Sequence, residues 1–309
     1  MKSASAFALA ALFALPVFAG SPTVSDGKAS KMTMAEDCPP DPRFVFNLSS
    51  SYVFESDFER GKDASGDALQ NSVSFGYRIP LGDGWPNREC GNWYLRVGGR
   101  YDRFDFSHDG GLPLPNTLQG IAGVVALEYL VRGEIAILLE SRPGVYFEHD
   151  IDGDDFDAPT NLAVAFELGT NFYGVVGASG SMLRSYPIIP IVGFVWRPSS
   201  EWMVRAILPD PRIIYSPSEN LSFFVGGELA GGSFRVDNDK GRQGNLRNAV
   251  LTYSEYRATA GVTWRAGNCE FEVGGGYAFQ RKFDYHRAEE GFATDEGAPF
   301  AKLEIRTAF

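Results

Sequence analysis

The side chains that could do chemistry in this chain gather in a few polar stretches, the densest being Glu148-His149-Asp150-Ile151-Asp152-Gly153-Asp154-Asp155-Phe156-Asp157. Asp150, Asp152 and Asp154 have the spacing with which calcium-binding loops of the helix–loop–helix type begin, alternate carboxylates converging on one hard cation. The remainder of that pattern departs: Gly153 stands at the fourth place where the sixth is required, and Asn161, at the twelfth, has no bidentate carboxylate. These three aspartates are the metal candidates. The alternative is a solvated, self-repelling surface loop that shares divalent ions with anionic lipid.

Histidine occurs at 108, 149 and 286. Ser107-His108-Asp109 has the residue types of a hydrolytic triad, but neighbours on an extended strand point to opposite faces and cannot converge. Alternation places His149 outward and His286 inward, so no catalytic residue is assigned. Cys38, Cys90 and Cys269 lack the C-x-x-C or adjacent histidine of a zinc site. In an oxidising compartment they make one disulfide and one leftover thiol, Cys90 joining Cys38 or Cys269. The glycine pairs at 98–99, 226–227, 231–232 and 274–276 lie inside alternating segments and open no helix, so neither a phosphate loop nor a cofactor is expected. They relieve crowding where a sheet bends. A net charge of −11 argues against a nucleic-acid partner, which would require basic stripes.

The elements that must position these residues are strands. Glycine contributes 35 of 309 residues and aromatics 14%, too aromatic for a disordered chain. The mean hydropathy is −0.15, and beyond residue 20 the longest uncharged runs, 110–127 and 168–183, are 18 and 16 residues and are interrupted by Gly or Pro. A membrane-spanning helix takes about 20 apolar residues. Met1-Lys2, an apolar run from Ala4 to Phe18 and Val17-Phe18-Ala19 form a secretory signal peptide over 1–19, cut after Ala19. A short periplasmic segment over 20–42 and one domain over 43–309 follow.

That domain alternates throughout. Ala301, Leu303, Ile305, Thr307 and Phe309 oppose Lys302, Glu304 and Arg306; Phe44, Phe46, Leu48, Tyr52 and Phe54 oppose Asn47, Ser49 and Ser51. A soluble sandwich also alternates. Two features point instead to a closed antiparallel transmembrane barrel. Aromatics stand near strand ends (Phe44, Tyr77, Trp93, Tyr101, Trp196, Trp202, Trp264, Phe283, Phe309), as girdles at two lipid–water interfaces require. Short links at 132–133, 197–201 and 266–268 alternate with longer polar ones at 56–68, 107–117, 150–160, 237–248 and 284–297. In hydrocarbon every N–H and C=O must be paired, so strands span only when the sheet closes on itself. Fourteen strands are expected, with twelve the fallback because the segments at 171–182, 201–208 and 211–216 are weak.

The stretch 187–236 contains Pro190-Ile191-Val192-Gly193-Phe194-Val195-Trp196-Arg197-Pro198-Ser199-Ser200-Glu201-Trp202, Leu208-Pro209-Asp210-Pro211-Arg212-Ile213-Ile214-Tyr215 and Gly226-Gly227-Glu228-Leu229. It resembles a family of bacterial outer-membrane β-barrel proteins of unestablished function. The resemblance implies fold and location, an outer-membrane lipid environment, and no catalytic residues. The terminal Phe309 resembles the signal by which barrel-insertion machinery engages the last strand.

The inward charges expected of such a barrel are Arg78, Arg96, Arg100, Arg257, Arg265, Lys282, Lys302 and Arg306 against Glu55, Glu128, Glu134, Glu167, Glu228, Glu255, Glu272 and Glu304. They either fill the barrel as ion-pair ladders or line a hydrated pore; barrels of about 8 strands are filled and those of 16–18 leave a channel. The function expected is a passive outer-membrane pore for small polar solutes or a structural surface protein. The alternatives are a rim hydrolase and an adhesin acting through its acidic loops.

Overall fold

A computed structural model describes residues 44–59, 64–81, 92–109, 111–131, 135–238 and 244–309. The signal peptide, the 20–42 segment, Cys38, Cys90 and Glu134 lie outside them. Long hairpins open the domain: β1 (Phe44–Asp57), β2 (Ser65–Leu81), β3 (Asn92–His108) and β4 (Thr117–Val131). Next, β5 (Ile135–Ser141) and β6 (Gly144–Phe147) both pair with β4 and make one stave, interrupted at Arg142-Pro143, where proline has no donor for the ladder. Beside them β7 (Phe156–Asp157) and β8 (Thr160–Gly169) form the following stave.

The chain continues through β9 (Phe172–Gly180), β10 (Ile188–Trp196), β11 (Trp202–Ile207), β12 (Arg212–Tyr215), β13 (Leu221–Arg235), β14 (Val250–Ala266) and β15 (Cys269–Tyr285). The last stave is β16 (Glu290–Ala293) with β17 (Ala298–Ala308), both paired to β15. Strand β17 returns to β1, from Val45 opposite Ala308 to Val53 opposite Phe300, and closes a 14-stave antiparallel barrel. The segments at 171–182, 201–208 and 211–216 are all staves of it.

Outward positions are apolar and girdled. At the end where the first and last strands terminate, Phe44, Tyr77, Trp93, Trp196, Trp202, Trp264 and Phe309 are exposed, and Trp93–Tyr129 and Trp202–Tyr215 stack in neighbouring pairs with ring centroids 4.7 and 4.8 Å apart. Phe283, expected in a girdle, is buried inside instead. The cause is a bulge: Tyr256 faces Gln280 and Arg257 faces Ala278, so Phe279 is an extra residue and every side chain beyond it changes face. Loop lengths follow the expected asymmetry with three departures. The β2–β3 link, 82–91, is long although it lies at the short-turn end, the β11–β12 turn is short although it lies at the long-loop end, and part of 284–297 is strand.

The wall is uneven between β9 and β13. Strand β11 pairs with β10 only from Gly193 to Trp196, so that among the described residues 188–192 have a strand neighbour on the β9 side alone. Hydrogen-bonded rungs alternate in an antiparallel ladder. Since Ser181 N–H donates to the Pro187 carbonyl, the odd residues of β10 bond toward β9 and the even ones face the open edge. Pro190 thus stands where its missing donor is not needed, the usual place for proline in a sheet.

The interior is packed. Phe104, Phe106, Leu118, Phe234, Leu246, Leu251, Tyr253, Phe283, Tyr285 and Phe300 fill the long-loop half on one side. On the other side Ala126, Ala136 and Leu138 meet Tyr173, Val175, Ile191, Val195, Met203 and Ile207.

Candidate functional site

Charged residues form two lanes on the inner wall. Across β2–β5, Arg78 reaches Glu128 at 2.6 Å, Arg96 bridges Glu128 and Glu140 at 2.7 Å each, and Arg142 returns to Glu140 at 2.7 Å. The second lane begins at the β11–β12 turn, where Asp210 takes Arg205 at 2.5 Å and Arg212 at 2.8 Å. Arg212 continues to Glu272 at 2.9 Å; Arg306 then ties Glu272, Glu270 and Glu304, the last two at 2.6 and 2.8 Å. Lys302 links Glu304 to Glu228, and Arg257 joins Glu228 and Glu255. Arg265 pairs with Glu270, and Arg100 holds Asp102 at 2.6 Å.

Most of these groups are buried: Glu128 is 1%, Glu255 0% and Glu272 2% exposed. The charges read from the sequence as inward are therefore brought together as a paired filling. Lys282 is the exception among the lysines and arginines. The bulge at Phe279 turns it outward to an exposed position and turns Arg281 inward, where Arg281 bonds Ser56 Oγ and the Gly66 carbonyl. Glu55 and Glu167, beside register shifts in β1 and β8, are also exposed. Sequence reasoning missed Asp210, Arg205 and Arg212. Arg205 alternates with buried Met203 and Ile207, a usable signal; Asp210 sits in a Pro-Asp-Pro turn that reads as solvent-facing.

The mouth at the long-loop end is crossed by the upper part of β13. Gly231 has φ +137°, a backbone that only glycine adopts easily, and it lies five residues beyond Gly226, the last β13 residue paired with β12. Beyond it, Phe234 packs edge-on against Phe104 at 5.6 Å and Tyr146 at 6.3 Å. Arg235 Nε donates to the Asp154 carbonyl at 2.9 Å, and the Asp237 N–H donates to Glu148 Oε2 at 2.9 Å. The strand end is thus docked onto the β6–β7 loop, 89 residues away in sequence for the last pair.

Within that loop the Asp150, Asp152 and Asp154 carboxylates do not gather. Gly153–Asp155 is a 3₁₀ turn, the Asp152 N–H donates to Asp155 Oδ2 at 2.6 Å, and the Asp150 N–H approaches Asp237 Oδ1 at 3.4 Å. Burial pushes the Asp155 carboxyl above its usual range, against the hydrogen bond from Asp152. Among the described residues the metal-competent set is a different one: Glu148, His149 and Asp237, with one ligand atom each and all within 4.8 Å of one another.

His108 turns Nε2 to the Leu114 carbonyl at 3.2 Å, and His286 keeps a buried Nδ1 in the β15–β16 turn. Cys269 is half-buried at the start of β15. Phe309 exchanges backbone bonds of 2.9 Å with Phe44 while its ring stays 62% exposed.

A family model for a domain of unknown function, DUF6268, matches residues 44–302, the barrel almost from end to end. The chain belongs to the DUF6268 family. No curated protein matches it. Solved structures similar to this DUF6268 chain are outer-membrane proteins at low identity. The COG4313 outer membrane channel from Pseudomonas putida F1 is 11% identical over 91% of this chain and 100% of that one, with a TM-score of 0.48. The Pseudomonas putida toluene transporter TodX is 7% identical over 88% and 90%, TM-score 0.42. LpxR from Salmonella typhimurium is 11% identical over 85% and 100%, TM-score 0.40.

Proposed function

We propose that this DUF6268 protein is an outer-membrane barrel that passes small polar solutes through a gated lumen, closed in the geometry described. The observation that carries this reading is the pairing of a charged inner wall with a docked strand end. Buried ion pairs are expensive to desolvate and add little stability over an apolar filling, so a barrel filled only for rigidity gains nothing from two lanes of them. Once water enters, the same side chains hydrate and line a polar path. The cover is the upper end of β13, held by Phe234 in the aromatic cluster and by Arg235 and Asp237 on the β6–β7 loop.

The refolded protein in planar bilayers tests this. The wild type is expected to rest closed with rare conductance steps, and Phe234→Ala to raise the open fraction at least tenfold. If neither protein conducts, the barrel is structural and the reading fails; if the wild type is constantly open, the gate does not exist.

A further inference from the structure

We infer that Glu148, His149 and Asp237 form a binding site for a divalent transition-metal ion of the zinc class, bridging the two loops that meet over the mouth. The three donors come from two segments of different parts of the barrel. Glu148 and His149 follow β6, and Asp237 follows β13. His149 Nδ1 lies 3.4 Å from Asp237 Oδ2 and 3.8 Å from Glu148 Oε1. Around a tetrahedral ion with metal–ligand bonds of about 2.0–2.2 Å, donor atoms stand roughly 3.3 Å apart. The contact at 3.8 Å is too long for a hydrogen bond, and it suits two ligands of one ion.

The surroundings hold the donors in place. The Asp237 N–H fixes Glu148 Oε2, leaving Oε1 toward the histidine, and the Asp150 N–H approaches the other Asp237 oxygen. The Glu148 side chain is 4% exposed, whereas that of His149 is 57% exposed, so the set has a buried floor and a path for the ion from solvent. Asp150, Asp152, Asp154 and Asp155 stand in the same loop, and Arg235, which reaches into it, gives its bonds to the carbonyls of Asp154 and Asn248. One imidazole with two carboxylates favours zinc, iron or nickel over calcium, which takes oxygen ligands only. Three protein ligands leave the fourth position for water.

An ion here ties the docked end of β13 to the β6–β7 loop and acts as a latch on the mouth. The site rests on the donor geometry alone; the latch rests on the gated reading above. Chelator-treated, untagged full-length protein in detergent is titrated with zinc chloride by calorimetry, beside His149→Ala and Asp237→Asn. One zinc per chain is expected, with affinity falling by about 100-fold in each variant and calcium binding far more weakly. Wild type and variants binding zinc alike, or the wild type not binding, overturns the site. Zinc added to the bilayer is then expected to reduce the open fraction of the wild type and not of His149→Ala. Stoichiometric zinc binding with unchanged conductance overturns the latch and keeps the site, and a protein that never conducts defeats the gated reading while the calorimetry still decides the site.

Discussion

Arg306 shows how a single residue is committed in this barrel. Its guanidinium touches Glu304, Glu270 and Glu272, and Glu304 also takes the Asn47 amide at 2.6 Å, so the group joins β17, β15 and β1 at the closing seam. Removing one partner of a buried ion cluster leaves the others uncompensated, at a cost of about 3–5 kcal/mol. Arg306→Met is expected to lose that much, read as a lowered urea midpoint of the refolded barrel, and a loss below about 1 kcal/mol would mean that water reaches the lane. His286 offers a gentler effect. Burial holds its ring below the ordinary histidine range, Asp284 opposing, so the fold favours the neutral form. Its contribution is full above the unfolded value and is lost as pH falls through the lowered one. Protection factors over 286–289, taken relative to the intrinsic exchange rate at each pH, are expected to fall in mild acid, and His286→Gln to remove that fall. Alternation made the types of these inward residues legible, since Glu304 and Arg306 stand two apart on one face. It did not make their partners legible, because Arg212 and Glu272 meet through register, which the sequence does not print.

At the scale of the strand, the segment positions were readable and the faces were readable only up to the first bulge. The ends of β13 at 221 and 235 are legible because polar residues flank a largely apolar, glycine-containing run. Beyond Phe279 one extra residue exchanges the faces of Lys282 and Arg281, and nothing in the local pattern marks it, both being cationic. The acidic loop failed as a calcium pattern for a similar reason. A 3₁₀ turn at Gly153–Asp155 spreads the aspartates, and the donors that do meet, Glu148 and Asp237, are far apart in sequence. Strand β10 supplies the prediction at this scale. Among the described residues its upper edge faces no partner strand, and Ile188 and Val192 beside it are 73% and 63% exposed. Such an edge invites pairing with another chain unless something blunts it. Pro190→Val restores a donor on the open side, and refolded protein is expected to shift toward larger species than the wild type by light scattering. An unchanged size distribution would mean the edge is covered.

For the whole molecule, closure is the requirement that the other features serve. Fourteen staves in a round barrel would leave a lumen, yet here long side chains and the inward-docked end of β13 fill it, so strand number alone does not decide between core and channel. The seam between β1 and β17 ends at Phe309, whose backbone bonds Phe44 in both directions. Its ring, by contrast, faces outward at 62% exposure and is not packed in the interior. A residue that contributes backbone to the seam and leaves its ring on the surface meets the condition for the proposed recognition by insertion machinery. Phe309→Ala keeps both backbone bonds, so its refolding stability in detergent is expected to change by less than about 0.5 kcal/mol. In cells the same variant is expected to lose most of its outer-membrane, heat-modifiable form, at least tenfold by gel shift. Equal loss in the two assays would make the ring a structural element of the seam, and no loss in cells would remove its role as a signal.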